Sequence, residues 1–101
     1  MATLHIEHEI SNIGLWREAF QRFAAARTNA GVRAERVQQP IDDDHYVVVD
    51  LEFDTPTAAE SFRQFLHAVV WAKPENSPAL AGTPQTRVLE SVSPDQRVAT
   101  A

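Results

Sequence analysis

Tyr46-Val-Val-Val-Asp-Leu-Glu-Phe53 is the strongest strand in the chain, rich in β-branched and aromatic residues. Its period-two rows are Val47, Val49, Leu51 and Phe53 on one side, and Tyr46, Val48, Asp50 and Glu52 on the other. Thr3-Leu-His-Ile-Glu-His-Glu-Ile10 alternates in the same way. Leu4, Ile6, His8 and Ile10 form its apolar row, and Thr3, His5, Glu7 and Glu9 its polar row. Two half-buried strands with one apolar face each need helices on one side of a sheet.

The segments around them supply those helices. Ser11 and Asn12 offer cap oxygens. Leu15, Trp16, Ala19, Phe20, Phe23 and Ala24 then recur at helical spacing, which predicts one amphipathic helix of about 15 residues. Gly31 follows as a left-handed terminator. Val32–Gln39 is a weaker strand, and Pro40 with Asp42, Asp43 and Asp44 makes a turn. Thr55 caps a second helix with Pro56 as its first residue. Ala59, Phe62, Phe65, Leu66 and Val69 form its stripe, and it ends before Pro74. Residues 74–84 hold three prolines and a glycine, which predicts an ordered loop or flap. Thr86–Val92 is a short last strand.

The order β-α-β-β-α-β, with right-handed crossovers, puts both helices on one face of a four-stranded antiparallel sheet. The first and third strands lie in its middle. The expected fold is ferredoxin-like α+β, one domain over residues 1–93 with a frayed tail at 94–101. The 101 residues are 44% hydrophobic and 23% charged, an ordinary globular mix that argues against a disordered or fibrous chain. The absence of cysteine excludes disulfides and thiolate zinc sites. Fourteen acidic against nine basic residues, net −5, argue against a nucleic-acid module, as do acidic central strands without aromatic stacking motifs. No apolar run reaches the roughly 18 residues of a membrane span, and no basic-then-apolar leader opens the chain. A soluble, cytoplasmic protein without a membrane partner is expected.

The second face of the sheet has no element over it. His5, Glu7 and Glu9, with Tyr46, Val48, Asp50 and Glu52, point there. Solvent can wet such a face. Stacking two copies through a two-fold axis also hides the edge strands, and it is the expected solution, with His5, Glu7, Asp50 and Glu52 at the interface of a homodimer. Arg33, Arg36 or Arg87 would neutralise the carboxylates across it.

His5-Ile-Glu-His8-Glu-Ile, Trp16-Arg-Glu-Ala-Phe20, Arg27, Gly31-Val-Arg, Tyr46–Phe53 and Ala58-Ala-Glu-Ser-Phe62 resemble small members of the dimeric α+β barrel superfamily. They are similar to the antibiotic-biosynthesis-monooxygenase-like proteins over about residues 3–92. These are packing motifs, so the resemblance implies fold and dimer rather than activity. The superfamily holds cofactor-free monooxygenases, haem-degrading enzymes and muconolactone-isomerase-like enzymes. The haem-degrading trio of a first-strand Asn and a later Trp and His is not matched here, where His67 precedes Trp71. The quinol-oxidising members use a pocket of Trp, Asn, Tyr and Arg type, chemistry that Trp71 and Tyr46 offer.

Four residues are candidates for chemistry. His8, in the row facing the helices, is either a base poised by partial burial or a core histidine bonded to one carbonyl. His67 and Trp71, four apart on the second helix, lie at the mouth of a helix–sheet pocket, or pack and solvate without a ligand. Tyr46 is a hydrogen-bond donor to a substrate. Trp16 reads as packing. His5-x-Glu7-His8 splits across a strand's two faces and makes no metal site. Asp42, Asp43 and Asp44 lack the spacing of a calcium loop. No phosphate loop, dinucleotide fingerprint or serine elbow occurs.

These residues point to a cofactor-independent oxygenase, isomerase or cyclase for a small planar aromatic or polyketide-like molecule. In that enzyme His8 or His67 is the base, Trp71 a stacking wall, Tyr46 a donor and loop 73–84 the gate. The alternative is a non-catalytic dimeric binding or structural protein. No cofactor is expected, haem through His67 being the one exception to test.

Overall fold

The computed structural model describes residues 1–92. The expected tail at 94–101 lies outside them. Strand β1 (Ala2–Ile10) runs into helix α1 (Ile13–Arg22) and the short α2 (Ala24–Asn29). Strands β2 (Ala34–Gln38) and β3 (Tyr46–Phe53) follow, then α3 (Pro56–Phe65), a π-helical turn (Leu66–Val70) and β4 (Leu80–Glu90). The strands are ordered β2-β3-β1-β4, each pair antiparallel, so the two best strand signals form the centre of a ferredoxin-like α+β sheet.

The local signals act as read. The Asn12 side-chain oxygen accepts from the Leu15 amide at 3.0 Å, so Asn12 rather than Ser11 caps α1. The Thr55 hydroxyl accepts from the Ala58 amide at 3.1 Å, ahead of Pro56. Leu4, Val47, Leu51 and Phe53 are sealed under the helices, with the Phe62 ring tilted against Phe53 at 5.9 Å. Gly31 takes φ +94°, the left-handed backbone that ends α2.

Three expectations need correction. The first helix is two: at Phe23 the backbone leaves helical geometry (φ −101°, ψ 15°), and its amide turns to the carbonyls of Gln21 and Phe20. The weak strand is shorter than Val32–Gln39. The last strand begins at Leu80, so residues 80–84 belong to the sheet and not to a flap. Pairing with β1 overrides the loop-like composition there. Glu7 faces Gln85 and Glu9 faces Ala81, so Gly82, Thr83 and Pro84 bulge out opposite His8. A bulge is where a sheet tolerates a proline and a positive-φ glycine, and Gly82 has φ +72°.

Candidate functional site

Between sheet and helices lies a cavity of about 60 Å³. Ile6 and His8 of β1 and Val49 and Leu51 of β3 form its floor. Trp16, Phe20, Phe23 and Arg27 close one side, and Phe62, Leu66, Val70 and Trp71 the other. The wall is aromatic and aliphatic except at His8 and Arg27.

His8 is 5% exposed. Its Nδ1 lies 2.8 Å from the Glu9 carbonyl oxygen, which can only accept, so Nδ1 carries the proton. Burial pushes its pKa below the ordinary 6.5, and the ring is neutral at pH 7. The lone pair therefore sits on Nε2, which has no partner among the described residues. No fully enclosed side-chain nitrogen among them lacks a partner, so Nε2 keeps some accessible surface, on a residue that lines the cavity. The β4 bulge lies beside this residue.

Trp71 meets the His8 ring edge-on at 6.3 Å and the His67 ring at 4.9 Å. It is held by the π-helical turn, whose longer bond runs from the Trp71 amide to the Leu66 carbonyl at 2.8 Å. His8 and Trp71 thus share the cavity. His67 is exposed and lies against the outer side of the indole, not on the cavity wall. Tyr46 does not reach the cavity either. It lies on the open face of the sheet, where its hydroxyl donates to Glu7 Oε1 at 2.6 Å. Trp16, read as packing, stacks on Phe20 at 4.7 Å and also lines the cavity.

Arg27 is the residue the sequence reading missed. It is 4% exposed. Its Nε donates to Glu35 Oε2 at 2.7 Å and its Nη1 to the Phe20 carbonyl at 2.6 Å, with the guanidinium 3.6 Å over the Phe20 ring. A signal existed: Phe20, Phe23 and Arg27 are spaced three and four apart, which puts the arginine on the apolar stripe.

The expected interface residues form one network on the open face. His5 Nδ1 lies 2.7 Å from Asp50 Oδ1, and His5 Nε2 lies 2.8 Å from Glu7 Oε2. The bond from Glu7, then those from Asp50, raise the His5 pKa above 6.5 against partial burial. Bonds from Tyr46 and then His5 hold Glu7 below its ordinary 4.5. The same Glu7 bond raises Tyr46. Glu52 lies farther along β3 beside a groove shared with Arg36 and Thr3. Arg33 is taken up by Asp54 at 2.6 Å, which leaves Arg36 and Arg87 as the arginines beside the central carboxylates. In the β2–β3 turn, Asp43, Asp44 and His45 converge, all exposed, and their mutual bonds hold the turn.

No protein-family model matches the chain, and no curated protein matches it. Solved structures do. SnoaB, a cofactor-independent oxygenase from Streptomyces nogalater, superposes with TM-score 0.68 at 17% identity, over 91% of this chain and 93% of that one. An antibiotic biosynthesis monooxygenase-like protein from Nitrosomonas europaea gives 0.66 at 13% identity, over 92% and 100%. A dimeric ferredoxin-like protein from an uncultured marine organism gives 0.62 at 12% identity, over 91% and 97%. At such identities the likeness is one of fold. The chain has the ferredoxin-like α+β fold of the antibiotic-biosynthesis-monooxygenase-like and dimeric ferredoxin-like proteins.

Proposed function

We propose that two copies of this chain stack through their open sheet faces, and that each binds a small planar, weakly acidic aromatic or polyketide-like molecule between sheet and helices. There His8 Nε2 removes a proton, and the electron-rich anion either reacts directly with dioxygen or rearranges. Trp71 and Phe20 flank its ring. The carrying observation is a histidine with an unpartnered ring nitrogen and a pKa lowered by burial, lining an aromatic-walled cavity, because a base must reach its substrate unprotonated. The dimer is supported by the helix-free face and by the dimeric neighbour of the same fold.

The volume of about 60 Å³ has room for about two waters, far below the roughly 300 Å³ of a small-molecule pocket. A ring therefore enters only if lining side chains such as Trp71 move aside. The same small volume favours a second reading, a dimer that binds or scaffolds without catalysis.

Oxygen uptake with dithranol, an easily oxidised hydroxyanthrone, separates the two. The enzyme reading expects uptake above the buffer rate, lost in His8→Ala and impaired in Trp71→Ala. Uptake equal in the wild type and His8→Ala removes His8 as base. Sedimentation tests the dimer: a concentration-independent species of 11.3 kDa refutes it, and Glu7→Lys should weaken a dimer built on this face.

A further inference from the structure

One row of the open face crosses all four strands in register. Arg36 of β2 faces Asp50 of β3, Asp50 faces His5 of β1, and His5 faces Arg87 of β4. Glu7 stands in the next row with Val48 and Gln85 beside it, and Tyr46 donates to it. Glu9 of β1 and Glu52 of β3 are the other carboxylates of this face. None of these groups enters the proposed chemistry at His8.

The geometry fixes the protonation of His5. An ionised carboxylate only accepts hydrogen bonds. Both ring nitrogens of His5 touch carboxylate oxygens, at 2.7 and 2.8 Å, so both must donate. Only the imidazolium has two N–H groups. A neutral ring keeps one, and its bare nitrogen then confronts either Asp50 or Glu7 lone pair to lone pair. The side chains of His5, Asp50 and Glu7 are 24%, 23% and 33% exposed, so water only partly screens that clash.

We propose that His5 is a proton-operated lock on the open sheet face: charged, it clamps Asp50 of β3 and Glu7 of β1 together; neutral, it releases one of them and leaves the face acidic. With the lock closed, His5, Arg36 and Arg87 oppose Glu7, Glu9, Asp50 and Glu52. With it open, two cations oppose the same four carboxylates. Each copy of a stacked pair would bring that excess, so loss of the proton loosens the pair. The coupling to assembly rests on the proposed dimer; the lock itself is a property of one chain.

The direction of the pH dependence follows. Because the folded pKa of His5 lies above 6.5, its contribution is complete below 6.5 and is lost as pH rises through the raised value. Glu7, held below 4.5, keeps its charge well into acid, so the alkaline side belongs to His5.

The test measures sedimentation and thermal unfolding at pH 6.0 and 8.5 for the wild type, His5→Gln and Asp50→Asn, with ring ¹⁵N spectra that identify His5 by its absence in His5→Gln. The expected result is self-association weakened at least about fivefold at pH 8.5, the low end of ordinary coupling between sites. His5→Gln is weak and flat across that range, and both His5 nitrogens are protonated at pH 6.0. An undiminished alkaline loss in His5→Gln, or a bare His5 nitrogen at pH 6.0, overturns the proposal. A chain that is monomeric at every pH refutes the dimer reading alone. The lock is then decided by the unfolding midpoint: with the His8 contribution common to both proteins, the wild type must lose more stability from pH 6.0 to 8.5 than His5→Gln does, and an equal change in both refutes the lock. Should His5→Gln fail to fold, Asp50→Asn must move the alkaline loss to lower pH, and an unmoved loss refutes the lock.

Discussion

Replacing Arg27 by leucine should destabilise the fold by about 2–3 kcal/mol. Leucine keeps an apolar stem against Phe20 and deletes the guanidinium. A charge-assisted hydrogen bond contributes roughly 1.5–3 kcal/mol when shielded. Glu35 is 41% exposed and regains water once released, so the bond at 2.7 Å takes the lower end of that range. The stacking of the guanidinium over Phe20 at 3.6 Å adds about 1 kcal/mol. The Phe20 carbonyl is not orphaned, because the Phe23 amide still reaches it at 3.2 Å. For a domain of this size the sum lowers the midpoint by about 10–20 °C. The assay is thermal and urea unfolding at one protein concentration, with Arg33→Leu as the control. Arg33 makes an equally short pair with Asp54, but the two side chains are 63% and 57% exposed, and no measurable shift is expected. If Arg27→Leu costs no more than Arg33→Leu, the guanidinium is solvated and the burial argument fails.

Phe53→Ala, at a fully buried site under Phe62, should cost about 3–5 kcal/mol in urea unfolding. Gly31→Ala places a Cβ on a φ of +94° and should cost at least about 1 kcal/mol with no clash to relieve. His8 is neutral in the fold, with its pKa lowered by burial, so the unfolded chain takes up its proton first and the wild type loses stability as pH falls through 6.5. His8→Leu should flatten that loss between pH 7.5 and 5.5, as read by urea midpoints.

The parts of the fold that were legible rest on local chemistry. Period-two rows gave β1 and β3 their phases, and the Asn12 and Thr55 hydroxyl or amide oxygens marked helix starts because a cap needs only its own next turn. Residues 80–84 were not legible. Gly82 and Pro84 are loop formers by propensity, and only the partner β1, more than seventy residues away in sequence, makes them a bulged strand. Arg27 was missed for a related reason. An arginine becomes a core residue only when a carboxylate and a carbonyl meet it, and Glu35 comes from another element. Tyr46 is the opposite case: its row already placed it on the open face with Asp50, away from any helix-side cavity.

His5 and His8 show why the phase of a strand carries chemical as well as packing information. They are three residues apart on β1, so the pleat sends them to opposite faces. On the helix side, His8 meets apolar walls and one carbonyl, and desolvation keeps it neutral with a free lone pair. On the open side, His5 meets two carboxylates, and their bonds outweigh desolvation and raise its pKa above 6.5. One residue type thus favours the neutral ring on one face and the charged ring on the other at pH 6.5. The two also bound stability from opposite directions. Acid charges His8 against its apolar pocket, and alkali strips His5 of a donor its carboxylates need. A single chain should therefore be most stable between those two titrations, with both histidines, rather than the net charge of −5, setting the limits of that window near neutrality.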